Sequence, residues 1–232
     1  MSEQENNTED NAGDTGVAAD TAPAAPVAPA PRPPRRFSPV AWLALLLVLG
    51  MVGIAIWPGL TRMPEGPVAG DGQNYDRIVI EGQYLNKVIA GGEARTELVR
   101  DDGDYLLYIE AAAGALADDP EAGPHFRLAS DLEFQFSGMR VRCTVRMRPT
   151  ETRGAMQARV NYLAGRAGQS GWQTFDLRPE FEDFSFVYDV PVNIGEQGFD
   201  YFAIRPVVPE KSRGMLVERI IFERLGPTPP ES

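Results

Sequence analysis

The stretch MRVRCTVRMR, residues 139–148, alternates without a break. Met139, Val141, Cys143, Val145 and Met147 share one parity, and Arg140, Arg142, Thr144, Arg146 and Arg148 share the other. Successive side chains of an extended chain point to opposite faces, so ten residues of strict alternation predict a strand with one buried and one wet face. Cys143, the only cysteine among 232 residues, falls on the apolar parity and reads as a small buried hydrophobe rather than a reactive thiol. With one cysteine no disulfide forms within the chain, so the core must suffice by itself.

Downstream, Met156, Ala158, Val160 and Tyr162 repeat the pattern against Gln157, Arg159, Asn161 and Leu163. The polar turn 149–154 joins the two stretches, and a hairpin is the expected pairing. Further strands are expected at 77–81, 105–110, 125–128, 132–136, 172–177, 184–190, 201–206 and 215–225. The turn Asp101-Asp102-Gly103-Asp104 leads into the second of these and lacks the spacing of a calcium-binding EF-hand loop. Roughly nine strands with no long amphipathic helix predict an all-β, two-sheet antiparallel sandwich. No internal repeat is evident.

Four of these strands carry a resemblance. Gly171-Trp172-Gln-Thr-Phe175-Asp-Leu177, then Phe184-Ser-Phe186-Val-Tyr188, then Asp200-Tyr201-Phe202-Ala203-Ile204-Arg205-Pro206, then Leu216-Val-Glu-Arg-Ile-Ile-Phe222 are in order. The run resembles the C-terminal half of jelly-roll domains of the galactose-binding-like superfamily, in particular carbohydrate-binding modules found beside glycoside hydrolases. The resemblance covers about half of the sandwich and implies a jelly-roll β-sandwich that binds a carbohydrate without acting on it. It departs from the family at Glu218-Arg219, where acids often help hold a structural calcium ion. No cofactor is expected, and a structural calcium ion stays open without support from these residues.

Upstream, residues 40–57, VAWLALLLVLGMVGIAIW, contain no charge. At ~1.5 Å per residue they make a helix of ~27 Å, close to the hydrocarbon thickness of a bilayer. Pro39 and Pro58 bound the run, and Val40, Trp42, Gly50 and Trp57 mark its start, its two interfacial aromatics and its middle. Gly50 and Gly53 do not make the Gly-x-x-x-Gly spacing of helix pairing. Arg32, Arg35 and Arg36 precede the run and only Arg62 follows closely, so the positive-inside rule keeps the N-terminus cytoplasmic. A cleaved signal peptide would need a small-residue cleavage site, which Ile54-Ala55-Ile56-Trp57 does not offer.

These readings divide the chain into a disordered Pro/Ala-rich cytoplasmic tail (1–36), a transmembrane helix (37–60), a linker (61–75), an exported sandwich (76–226) and a disordered C-terminus (227–232). The expected location is a bacterial inner membrane with the sandwich in the periplasm. The net charge of −11 is spread over both sides of the anchor, with three arginines against six acids before it and nineteen Lys and Arg against twenty-seven acids after it. An acidic exported domain argues against nucleic-acid binding. His125 is the only histidine, and without a cysteine partner it does not suggest a metal site.

Candidate site residues come from the arginine parity. Arg140, Arg142, Arg146 and Arg148, joined on the next strand by Gln157, Arg159 and Asn161, would make a cationic, amide-rich sheet face suited to carboxylate, sulfate or phosphate groups. The plainer reading is that the same arginines pair with acids of adjacent strands and solubilise the outer face. Trp172, Tyr188, Tyr201 and Phe202 are either sugar-stacking platforms or core. The loop acids Asp118, Asp119, Glu121, Glu180, Glu182 and Asp183 include no pair at a spacing that marks a glycosidase, and no catalytic residue is assigned. The expected function is a membrane-anchored, non-catalytic binding module for a carbohydrate or other envelope polymer. The rival is an envelope scaffold whose sandwich docks on another protein.

Overall fold

A computed structural model describes residues 38–192 and 198–229; the tail expected over 1–36 lies outside the described residues. In chain order the elements are α1 (Pro39–Thr61), β1 (Arg77–Glu81), β2 (Arg95–Asp101), β3 (Asp104–Ala111), β4 (His125–Arg127), α2 (Ser130–Phe136), β5 (Met139–Pro149), β6 (Gln157–Ala164), β7 (Gly168–Gln169), β8 (Gln173–Asp176), β9 (Glu182–Asp189), β10 (Asp200–Pro206) and β11 (Arg213–Pro227).

Over Pro39–Trp57 helix α1 is apolar on every side, and this part is long and apolar enough to cross a membrane. The chain divides by its contacts near Ala55, and the rest forms the second compact unit.

That unit is an antiparallel jelly-roll sandwich. One sheet runs β2-β3-β11-β5-β9 with β1 also on β11; the other runs β4-β10-β6-β7 with β8 also on β6. Val141, Cys143, Val145 and Met147 of β5 are buried, as their parity predicts. They face Phe126 of β4, Ala158, Val160 and Tyr162 of β6, and Phe202 and Ile204 of β10 in one core cluster. Phe222 of β11 joins the layers, with its ring edge-on to Phe202 at 4.9 Å and to Tyr162 at 6.1 Å. Such tilted and edge-on contacts suit the ring quadrupoles. Burial pushes the Cys143 thiol well above its usual range, as befits an inert core side chain.

Strand β11 departs from simple alternation because its register shifts between Val217 and Arg219. The bulge inserts one residue, so Met215 and Val217 before it and Ile220 and Phe222 after it all reach the core.

Two expectations are corrected. The stretches 139–148 and 156–163 do not form a hairpin: β5 pairs with β9 and β11, whereas β6 pairs with β7, β8 and β10 in the opposite sheet. The connection between them crosses the sandwich, with Ala155 N–H donating to Gly214 O at 2.9 Å. Met156 is therefore exposed, outside the buried parity of β6. Residues 132–136 form part of α2 and not a strand, because Leu132 and Phe136 lie four residues apart on one buried helical face while Phe134 points to solvent. Part of the expected linker packs on the sandwich. Val68 is buried and bridges in parallel to Leu128, and Gly70 N–H donates to Asp131 Oδ2 at 2.9 Å. At the other end the ordered chain passes 227, since Thr228 N–H donates to Gly138 O at 2.9 Å.

Candidate functional site

The crossover splits the predicted cationic face. Arg140, Arg142, Arg146 and Arg148 point outward from the six-stranded sheet, whereas Gln157, Arg159 and Asn161 point outward from the five-stranded one. The two sets lie on opposite sides of the sandwich.

Each β5 arginine meets an acid. Arg140 faces Asp189 in register and binds it through two hydrogen bonds of 2.7 and 2.8 Å. Arg142 lies 3.5 Å from Glu223, which also takes Arg77 at 3.3 Å. Arg146 binds Glu218 at 3.0 Å and approaches Asp183 at 3.7 Å. Arg148 reaches Asp101 at 3.3 Å and lies over the Phe181 ring at 4.9 Å. Cross-strand pairs of this kind neutralise one another. At Glu218-Arg219 the acid is thus held by Arg146, and Arg219 lies 3.6 Å from Asp183.

The other outer face is built differently. Register places Arg205 of β10 directly opposite Arg159 of β6, and Ala203 opposite Asn161. Two like charges are therefore set side by side, an arrangement that costs stability. The residue between β7 and β8 that covers them is Trp172. The Arg205 guanidinium lies 3.8 Å from its ring and that of Arg159 lies 4.8 Å away. The indole N–H donates to Asp118 O at 2.9 Å, and Arg205 donates to the carbonyls of Ala117 and Asp118.

Arg205 is only 4% exposed, yet its bonded acceptors are neutral carbonyls. Its buried Nε has no hydrogen-bond partner among the described residues. Burial and the neighbouring Arg159 charge push its pKa down to about 10, against the opposing pull of Asp118 and Asp119. Among the described residues the ion pair here joins Arg159 to Asp118 at 3.3 Å, and the Asp118 side chain is 91% exposed.

The loop that supplies Asp118 is held from behind. Gly91 and Gly92 take the left-handed conformation (φ 53° and 57°) and press on the carbonyls of Gly123 and Ala122, where no Cβ fits. Asp119 Oδ1 accepts from Glu121 N at 3.0 Å, starting a short turn of 3₁₀ helix, and Pro124 O accepts from Ile204 N–H at 3.0 Å. The loop is thereby fixed over β10.

Two cavities flank the Arg159–Asp118 pair. One, of about 180 Å³, has Arg205, Leu116 and Val207 in its walls. The other, of about 590 Å³, is lined by Trp172, Gln169, Arg166 and Leu163. Both touch Asp118 and Arg159. Beside them, Asn161 is buried and bonded through both ends of its amide, donating to Gln169 Oε1 at 3.0 Å and accepting from Ser170 Oγ at 3.2 Å. Gln157 donates to Asp176 at 2.7 Å.

The aromatic residues divide between the two roles left open by the sequence. Phe202 is core, and Tyr188 packs on the Tyr162 ring at 5.4 Å. Tyr201 stands outward, edge-on to His125 at 5.0 Å. Trp172 is outside the core, at the groove. Sequence reasoning missed Arg205, which appeared only as the end of an apolar strand; the signal for it was a charge inside a strand otherwise destined for burial.

No protein-family model and no curated protein matches the sequence. Solved structures of similar fold contain carbohydrate-binding modules. One is the Clostridium thermocellum endo-1,4-beta-D-xylanase 10B CBM22-1–GH10 pair complexed with xylohexaose, at 12% identity and TM-score 0.40 over 60% of this chain. This chain spans only 26% of that one. Another is the CBM22-1 xylan-binding domain of Paenibacillus barcinonensis Xyn10C, at 10% identity and TM-score 0.42, covering 61% of this chain and 87% of that domain. A CBM4 structure matches at 13% identity and TM-score 0.39, over 68% of this chain and 92% of its own. Likeness at this level transfers no ligand and no residue role.

Proposed function

We propose that the protein is a membrane-anchored, non-catalytic binding module that holds a carbohydrate or similar envelope polymer in the groove over β6 and β10. In this reading α1 spans the inner membrane once, the N-terminus is cytoplasmic and the sandwich is periplasmic. The observation that carries the reading is Trp172, an aromatic platform outside the core at the wall of a groove bordered by Gln169, Arg159 and Arg166. An indole buries the apolar face of a pyranose, while amide and guanidinium groups read its hydroxyls.

The full chain in lipid nanodiscs is expected to be retarded in gels containing a soluble polysaccharide. Trp172→Ala is expected to weaken that binding by at least about tenfold, as loss of a central aromatic anchor does, while Trp172→Phe keeps most of it. Retardation that Trp172→Ala leaves unchanged would remove the groove as the site. Protease added to intact spheroplasts is expected to digest the sandwich; protection of the sandwich would overturn the periplasmic assignment.

A further inference from the structure

Resting on that reading, we infer that the groove selects polymers bearing anionic substituents, with Arg159 and Arg205 as the seat of the anion and the Asp118 carboxylate as the internal group it displaces. Four observations converge on it. Arg159 and Arg205 are direct cross-strand neighbours, so their charges add at one point of the sheet. Arg205 is buried with only neutral acceptors bonded to it and with one N–H unmade among the described residues. Buried charge without a counter-charge is costly, and a bound anion would relieve it. The only carboxylate paired with either guanidinium, among the described residues, is the exposed Asp118 on a 3.3 Å contact. That pair also stands where the two cavities adjoin, since Asp118 and Arg159 line both.

Displacing the Asp118 side chain would join the cavities into one cleft. Trp172 would lie along it, and a planar carboxylate or a sulfate would meet the guanidinium forks with good geometry. Backbone contacts hold the loop independently of that side chain, because Trp172 and Arg205 both bond the Asp118 carbonyl. The carboxylate can therefore leave while the loop stays. Neutral sugar units would occupy the Trp172 side of the cleft and the anion the Arg205 side.

The test is affinity electrophoresis of the full chain in nanodiscs against two matched pairs: polygalacturonate with its full methyl ester, and dextran sulfate with dextran. Each pair keeps the backbone and removes the charge. Charged members are expected to bind about tenfold or more tightly than their neutral partners, the size of a charge-assisted contact. The polygalacturonate arm then reports carboxylate and the dextran sulfate arm reports sulfate. Arg159→Gln is expected to abolish the preference, and Asp118→Asn to increase affinity for the charged member severalfold by removing its competitor. Arg142→Ala, on the opposite face, leaves the preference intact.

Equal binding of charged and neutral members would overturn the inference and leave the carbohydrate reading standing. Binding of none of the four polymers would overturn both. A loss of affinity in Asp118→Asn would show that Asp118 works with the ligand and would overturn its role as the displaced group.

Discussion

The six-stranded and five-stranded sheets use arginine in opposite ways. On β5 each outward arginine meets a carboxylate of the same sheet or its edge, from the two-bond Arg140–Asp189 pair to Arg146 between Glu218 and Asp183. On β10 the charges at the two ends have no such partner. Arg205 sits at one end against Arg159, and Asp200 sits at the other, 7% exposed, with the Tyr162 hydroxyl as its donor at 2.9 Å and no ion pair among the described residues. Evenly matched charge makes a soluble surface. Buried, unmatched charge costs stability and persists where it has work to do. The same residue type thus makes a charge-balanced face on one side and lines the proposed binding groove on the other.

The largest test of this contrast is at Asp200. Desolvation and the nearby Glu133 raise its pKa to about 6, against the lowering effect of the Tyr162 hydrogen bond. The Tyr162 and Tyr188 hydroxyls around it are themselves pushed up, Tyr188 to about 12, so neither titrates in the same range. A raised carboxyl pKa means that the native state binds the proton more tightly than the unfolded chain. The favourable contribution is therefore fully present below about pH 4, the ordinary carboxyl value, and is lost as the pH rises through about 6. Asp200→Asn keeps an oxygen for Tyr162 and removes the charge. Its stability relative to wild type is expected to be near zero below pH 4 and to grow to about 3 kcal/mol by pH 7. Denaturant melts at the two pH values check this; a difference independent of pH would mean that Asp200 is compensated after all.

The contrast also explains what the sequence disclosed. Alternation in 139–148 announced β5 and its buried face, since period two depends on nothing beyond the chain itself. Partner choice depends on another segment, and there proximity in sequence misled. Strands β5 and β6 adjoin along the chain yet lie in different layers, so Arg159 and Asn161 were grouped with the wrong arginines. A better guide was available in the acids: Asp183 and Asp189 on β9 have the same spacing as Arg140 and Arg146 on β5 and foretell that pairing, whereas the bulge at Glu218 hides the match on β11. Edge strand β2 escaped because RTELVRD has only Leu98 and Val99 to suggest a strand. Helix α2 passed for a strand because Leu132, Phe134 and Phe136 fit a period of two as well as Leu132 and Phe136 fit one turn of helix. Trp172 and Arg205 are far apart in sequence; the β6–β10 register sets Arg205 beside Arg159, and the pairing of β7 and β8 with β6 brings Trp172 over both.

A second test replaces Arg142 and Arg146 together with alanine. Glu218 then loses its paired cation, while Glu223 keeps Arg77 and Asp183 keeps Arg219. Exposed pairs contribute modestly, so the double variant is expected to lose about 1 kcal/mol of stability, less in high salt. Polymer binding in the nanodisc assay is expected to be unchanged. If binding were lost instead, the plain face and the site would have to change places.

The smallest effect carries the opposite sign. Arg159→Gln removes one of two like charges set opposite each other, and Trp172 and the backbone carbonyls remain to hold Arg205. The change forfeits the ion pair with exposed Asp118, which is worth little in water. Relief of the Arg159–Arg205 repulsion then dominates, and the variant is expected to gain about 0.5 kcal/mol at low ionic strength. Salt screens the repulsion, so the gain should vanish near 0.5 M NaCl, which is about three times the physiological ionic strength. Chemical denaturation with urea at both ionic strengths measures it, since urea leaves the screening unchanged. A variant that is less stable than wild type at low salt would mean that Arg159 is held by attraction to its neighbours, and the strand pair would then belong with the balanced face across the sandwich.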